Sequence, residues 1–287
     1  MRHRDEHAQA QLTSLIGTSP DQLVKPRIHR QQGAASPSAG SEPYTADNFL
    51  DRRTTTSTLE FFYRHQLARE RELVLPRVPV ATDVLSIGCG WHPGRHLFPA
   101  ATSRLVAVDA NPDIIAGVLQ TGVADEAHVG LAGHLDFLPR SSFDVVLYRL
   151  VLHHIVYKDA LAPCLLEAAR LLRPGGALVA IEPGAWHPVG AGLAFANRLG
   201  LGQKIHGTID DVPLSPRALL RESTCAGLLP ELYALTYSWR RLPPRVQASL
   251  GALDTLGARR WAAFLGHTLL LIARAPQHAK ARTLRLY

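Results

Sequence analysis

Two sets of residues in this chain are spaced so that they could do chemistry: a glycine turn followed by an acid, and histidines that follow later apolar runs. Gly88, Cys89 and Gly90 close the run Val84-Leu85-Ser86-Ile87. A residue without a Cβ takes φ > 0 cheaply and lets backbone N–H groups come close to a ligand. Gly88, Cys89 and Gly90 are therefore candidates for backbone contact with one end of a nucleoside-like molecule. Asp109 ends a second apolar run, Leu105-Val106-Ala107-Val108, nineteen positions after Gly90. That is about the spacing at which a carboxylate meets ribose hydroxyls, and a carboxylate accepts them without a metal. A lone G-x-G fits a tight structural turn equally well; the acid at this distance points to the nucleoside.

The chain has fourteen histidines, and four are candidate general bases. His153 and His154 follow the run Phe143 to Tyr148, His187 follows Leu178 to Glu182, and His206 begins the loop His206-Gly207-Thr208-Ile209-Asp210-Asp211. An unperturbed imidazole titrates near pH ~6.5, suited to deprotonating an activated hydroxyl or a carbon acid. For each of them a satisfied core or loop histidine is the competing reading.

The elements that must position these groups alternate strand and helix. Strands are expected at Val84 to Ile87, Leu105 to Asp109, Ala127 to Leu131, Phe143 to Tyr148, Leu178 to Glu182, Glu231 to Trp239 and Thr268 to Arg274. Helices are expected at Ser57 to Leu73, from about Arg95, at Pro112 to Leu119, Ala160 to Leu172, Pro216 to Ala226 and Val246 to Leu265. Gly175 and Gly176 read as the C-cap of the helix that ends near Leu172. Such alternation implies an α/β fold, a doubly wound and mostly parallel sheet with ligands at the carboxyl ends of its strands.

Four segments in order, VLSIGCG at 84–90, Leu105 to Asp109, Leu138-Pro139 with Phe143 to Leu147 and LVLHHI at 150–155, and LLRPGG at 171–176 running into Ala177 to Pro183, resemble the class I S-adenosylmethionine-dependent methyltransferases. The small-molecule group typified by the ubiquinone and menaquinone C-methyltransferases is the most similar in pattern, well over Thr82 to Pro188 and more loosely to Pro276. A nicotinamide dehydrogenase is disfavoured because no Tyr-x-x-x-Lys pattern occurs. The resemblance implies a seven-stranded Rossmann-like sheet whose last two strands are antiparallel, and S-adenosylmethionine as cofactor. It also implies Asp109 on the ribose, Ala110 against the adenine, and a residue before the Leu-Pro pair on the adenine amino group, next to a backbone N–H on the ring. His134 and Leu135 occupy those aligned places, with Asp136 as the alternative after a shift. Arg149 and Tyr148 are expected to line the cofactor. Ser86 stands where the family has an acid, and Trp91-His92-Pro93 lengthens the glycine turn. A helix ahead of the first strand often closes over the cofactor in this family, which makes Tyr44, Phe49 and Tyr63 lid candidates. Trp186, Phe195, Trp239 and the apolar stretch 246–265 suggest a mostly hydrophobic acceptor, methylated on oxygen or carbon. No Asn/Asp-Pro-Pro-Tyr tetrad is present, which argues against exocyclic amines of nucleobases and glutamine amides.

Composition bounds these readings. With 46% hydrophobic and 19% charged residues over 287 positions, one large domain with ample core is expected. Residues 1–45 end in QQGAASPSAGSEP, too polar and small to offset ordering entropy, and are expected to be a disordered tail. Residues 46–287 are the expected methyltransferase domain, with 184–216 and 240–265 as cap insertions over the acceptor. Cys89, Cys164 and Cys225 lie far apart with no C-x-x-C, so neither a disulfide framework nor a metal site is expected. The net charge is +7 and the pI about 9.7, yet the arginines are scattered and form no basic stripe interleaved with aromatics, which disfavours nucleic acid as partner. No apolar run spans a bilayer and no secretory leader is recognised, so a cytoplasmic protein is expected. An RNA methyltransferase, a non-methylating protein on the same scaffold and a subunit that supports a partner enzyme are the alternatives. Oligomeric state is left open.

Overall fold

A computed structural model describes residues 57–157, 159–201 and 212–277. The expected tail, the lid candidates Tyr44 and Phe49, and His206 lie outside the described residues. One sheet is formed by β1 (Asp83–Ile87), β2 (Arg104–Asp109), β3 (Glu126–Val129), β4 (Phe143–Arg149), β5 (Leu172–Pro183), β6 (Leu229–Thr236) and β7 (Thr268–Arg274), in the order β3-β2-β1-β4-β5-β7-β6. β1 to β5 run parallel, and β7 is antiparallel to both β5 and β6. This is the expected doubly wound sheet.

The strands read as apolar runs because both faces are covered. On one face α4 (Leu161–Leu171) buries Leu161, Cys164, Leu165, Ala168 and Leu171, repeating at helical period, in one cluster with Val146, Tyr148 and Leu178. On the other, α1 (Ser57–Val74) brings Leu73 and Val74 to Val145, Leu147 and Val179. α2 (Pro112–Thr121) starts with the Asn111 side chain accepting from the Asp113 N–H and stops at Gly122, which is left-handed at φ 67. α3 (Leu152–Ile155), α5 (Pro188–Arg198), α6 (Pro216–Cys225), α7 (Pro244–Gly251) and α8 (Arg260–Ala263) complete the described helices.

Three elements differ from the sequence expectation. No helix starts at Arg95; residues 91–103 form turns. Pro93, Gly94 and Pro99 interrupt a helical ladder there, and the buried Arg95 guanidinium donates to the carbonyls of Phe98, Ser103 and Val123 and to Asp125. Gly175 and Gly176 do not cap α4. The helix ends at Leu171, Leu172 is already extended, and the two glycines sit inside β5. A Cβ on Gly176 would come within 2.9 Å of the Asp144 carbonyl, so the glycine is needed for close approach to β4. The expected helix 246–265 is broken into α7, a 3-10 stretch at Ala252–Ala258 and α8. Gly257 comes so close to the Ala234 carbonyl that an added Cβ would lie 2.3 Å from it. The break carries Asp254 inward, where its carboxylate takes the Tyr237 N–H and the His65 ring.

α1 is fixed to the strand ends by one buried carboxylate. Glu70 receives both Nε and Nη2 of Arg149, at the end of β4, at 2.9 Å each. It also takes His96 Nε2 at 2.6 Å and the Gln66 amide at 3.0 Å. Burial pushes the Glu70 carboxyl upward, but Arg149 and His96 outweigh it and hold the group far below its ordinary range. Burial lowers the His96 imidazole, with Glu70 opposing. Arg149, expected to line the cofactor, instead spends its guanidinium on this pair. Removing one partner of such a pair leaves an uncompensated buried charge. Glu70→Gln is expected to lower unfolding free energy by about 3–5 kcal/mol, read by denaturant titration at pH 7. The unfolded chain takes a proton on His96 as pH falls through about 6.5 and on Glu70 through about 4.5, whereas in the native state each takes its proton at lower pH. Wild-type stability should fall as pH drops through both values, and Glu70→Gln should be flatter below 4.5; an equal slope in the two proteins would contradict the assignment.

Candidate active site

Two cavities open at the carboxyl ends of the parallel strands. The first, about 390 Å³, is walled by Gly88 and Gly90 after β1 and by Asp109 and Ala110 after β2. Residues 130–134, then Leu150, Val151 and His154 after β4, and Pro163 and Cys164 of α4 complete most of it. Gly88 has φ 62, and a Cβ there would lie 2.2 Å from the Val151 side chain. The turn therefore needs glycine for both conformation and space. Asp109 is oriented by backbone: its Oδ2 accepts the Gly90 N–H at 3.0 Å and its Oδ1 the Asn111 N–H at 2.9 Å. Each oxygen keeps a further lone pair, and the residue lines the cavity.

Other expected contacts fall differently. The Cys89 N–H is bound to the Val108 carbonyl, and its thiol is buried, with burial and then Asp109 pushing it up to about 12. Cys89 is thus part of the packing of the turn and not of the cavity wall. His134 lines the cavity, and Asp136, exposed, does not. Leu135 is fully buried and its N–H goes to Glu167, so that donor is engaged within the protein. Trp91 lies over α2, where a Cβ on Gly117 would meet its ring at 2.2 Å.

The second cavity, about 330 Å³, is bounded by Phe62, Tyr63 and Gln66 of α1, by His153 and His154, and by Val189 and Leu193 of α5. Trp239, Arg240, His267 and Thr268 close its far wall. Leu150 and His154 line both cavities. Leu150 is held at φ 57, a conformation that costs a bulky residue about 1–3 kcal/mol. Glu182, fully buried at the end of β5, supplies the restraint. Its Oε1 accepts the N–H groups of Val151 and Leu152 at 3.0 and 2.9 Å, and its Oε2 the N–H and Nδ1 of His153 at 3.3 and 2.7 Å. His153 therefore points one nitrogen at Glu182, and the His154 ring stacks on it with centroids 4.0 Å apart.

His187 has a different task. Its Nδ1 accepts the Val189 N–H and caps α5. Burial pushes the imidazole below its ordinary value, partly offset by a hydrogen bond to the Tyr237 backbone, and it lines neither cavity. Trp186 and Phe195, expected near the acceptor, lie outside both linings; Trp186 stacks on Phe264 instead. Of the aromatic candidates, Trp239 and Tyr63, expected as a lid over the cofactor, line the second cavity. Sequence reasoning missed Phe62, Gln66, Arg240 and His267. The apolar stripe of α1 signalled the first, while Arg240 was indistinguishable from scattered surface charge. Among the described residues no group of three or more His, Cys, Asp and Glu could hold a metal, and no helix is long and apolar enough to cross a membrane.

Comparison with known proteins bears on the domain and the fold. Residues 85–180, about a third of the chain, match a family model described as "Methyltransferase domain". No curated protein matches. Among solved structures, a methyltransferase from Methanosarcina mazei superposes with a TM-score of 0.52 at 15% identity, covering 72% of this chain and 98% of its own. A methyltransferase from Thermotoga maritima, described as a possible histamine N-methyltransferase, gives 0.51 at 16% identity, with 75% and 92% covered. Phosphoethanolamine N-methyltransferase 2 of Haemonchus contortus, in complex with S-adenosylmethionine, gives 0.50 at 15% identity, with 82% and 60% covered. At these identities the structures speak to the fold, and the matched sequence family speaks to the domain. Residues 85–180 thus match a methyltransferase domain, and the sheet that contains them has the fold of the S-adenosylmethionine-dependent methyltransferases to which it is similar.

Proposed function

We propose that the enzyme transfers a methyl group to an oxygen or carbon of a small, largely hydrophobic organic acceptor, in the cytoplasm and as a step of secondary metabolism. One observation carries the reading: the cofactor cavity and a second, mostly apolar cavity share Leu150 and His154 as a common wall. A methyl acceptor in the second cavity would face the first across these two residues. The segments 184–216 and 240–265 serve as the acceptor cap, contributing Val189, Leu193, Pro213 and Arg240 to that wall.

The first cavity suits the cofactor. The turn at Gly88 leaves space that any side chain would fill, Asp109 presents a carboxylate already oriented by two backbone donors, and Ala110 and His134 flank the place of the base. When bound there, S-adenosylmethionine supplies a methyl group already activated on a sulfonium. The protein's part is alignment, removal of a proton and exclusion of water. Asp109 accepts the ribose hydroxyls, and His134 takes the adenine edge. Phe62, Leu150 and Trp239 keep the acceptor end apolar. His154 takes the proton from the acceptor as its nucleophilic atom attacks. His153, turned by Glu182, positions the His154 ring.

Asp109→Ala is expected to weaken S-adenosylhomocysteine binding by about tenfold or more, the equivalent of roughly 1.5–3 kcal/mol for charge-assisted hydrogen bonds. Titration calorimetry measures this, and unaltered affinity would remove Asp109 from the site. The acceptor class is tested with S-adenosylmethionine carrying a labelled methyl group and a panel of small phenols, enolisable ketones, amines and RNA. Label in phenols or carbon acids is expected. His154→Gln should then lower kcat by roughly 10²–10⁴-fold with cofactor affinity retained. Label in amines or RNA alone would overturn the oxygen-or-carbon reading, and an unchanged kcat would remove His154 as the base.

A further inference from the structure

The second cavity has an asymmetric charge. Its polar lining is Gln66, His153, His154, Arg240, His267 and Thr268, and among the described residues no aspartate or glutamate lines it. His267 carries no charge at neutral pH: burial, followed by the neighbouring His187 and Arg240, pushes it down to about 3. Arg240 brings a guanidinium to a lining that also holds Phe62, Tyr63, Leu193 and Trp239.

The other interior guanidiniums of this fold are satisfied by the chain itself. Arg149 is bidentate on Glu70. Arg95 is spread over three carbonyls and Asp125. Arg69 reaches Glu72 and the carbonyls of Leu235 and Asp254. Arg240, half-buried, makes no ion pair with any described residue, and the nearby cap acid, Asp254, is occupied by His65 and the Tyr237 N–H. A guanidinium fork facing an apolar cavity is the group that matches a planar carboxylate with two parallel hydrogen bonds.

We infer that the acceptor is a small carboxylic acid, held by its carboxylate on Arg240 and by its apolar body against Phe62 and Trp239. The inference rests on reading this cavity as the acceptor site. Its volume, 330 Å³, is near the lower end of the roughly 300–1,000 Å³ of ligand sites, which limits the body to one or two rings. The carboxylate fixes the acid end at Arg240 and leaves the hydroxyl or acidic carbon free to turn toward His154.

The test is calorimetric titration of the full chain, saturated with S-adenosylhomocysteine, with benzoate, 4-hydroxybenzoate and 2-naphthoate and with the three corresponding amides. At least one acid should bind about tenfold or more tightly than its amide, the scale of a charge-assisted pair. Arg240→Gln should reduce that preference to within about twofold, and Arg240→Lys should keep part of it. S-adenosylhomocysteine affinity and melting temperature should match wild type in both variants. Equal binding of acids and amides, binding of neither, or a preference that survives Arg240→Gln would overturn the inference. The underlying reading fails separately: it falls if S-adenosylhomocysteine itself does not bind the wild-type protein, which the first injection series shows before any acid is added.

Discussion

The Glu182 carboxylate, buried at the carboxyl end of β5, is the interaction on which the site depends. A strand end has free backbone donors in the loop that follows its neighbour, and here they converge on one acceptor. Three consecutive N–H groups, from Val151, Leu152 and His153, and the His153 ring all donate to it. Without that acceptor these donors would be buried and unsatisfied, at about 1–3 kcal/mol each. The carboxylate therefore offsets the strain of Leu150 in the left-handed region and determines where the chain turns after β4. Since the segment 150–154 divides the two cavities, their separation is set by a group that touches neither.

A second carboxylate performs the same kind of task one strand away. Glu70 joins α1, the loop after the glycine turn and the end of β4 through Gln66, His96 and Arg149. The resembling family has an acid at the position of Ser86, within β1. In this chain Ser86 is buried in the strand, and a buried carboxylate reaches the same face of the sheet from α1. Both carboxylates link segments distant in sequence.

The parts of the structure that were legible in the sequence are those governed by local rules. Apolar runs became the strands, Asn111-Pro112 and Gly122 delimited α2, and Gly88 and Gly90 adopted positive φ. Asp109 and His134 line the first cavity. What was not legible depends on partners far along the chain. Gly175 and Gly176 read as a helix cap because the residues before them are helical, yet both lie in β5 and Gly176 is held against the Asp144 carbonyl of β4. The apolar period over 246–265 is real, but Gly257 is drawn against Ala234 and splits the helix. Arg149 looked like a cofactor ligand because it ends β4, and its actual partner is 79 positions away. His187 looked like a base because it follows β5; its proline-led helix needed a cap more than the cavity needed an imidazole. No periodicity in a single sequence records such pairings, since each is settled by what the tertiary fold brings alongside.

The shared wall at Leu150 and His154 has a thermodynamic consequence. A ligand in one cavity restricts the rotamers of two side chains that the occupant of the other also touches. Ordering them is a conformational cost met once, by whichever ligand arrives first, and the second binds to a surface already arranged. Such coupling is reciprocal: the factor by which the cofactor strengthens the acceptor is the factor by which the acceptor strengthens the cofactor. On the proposed assignment of the two cavities, selectivity for the acceptor would depend in part on which form of the cofactor occupies the neighbouring one, because the demethylated product leaves the partition with one group fewer to press against.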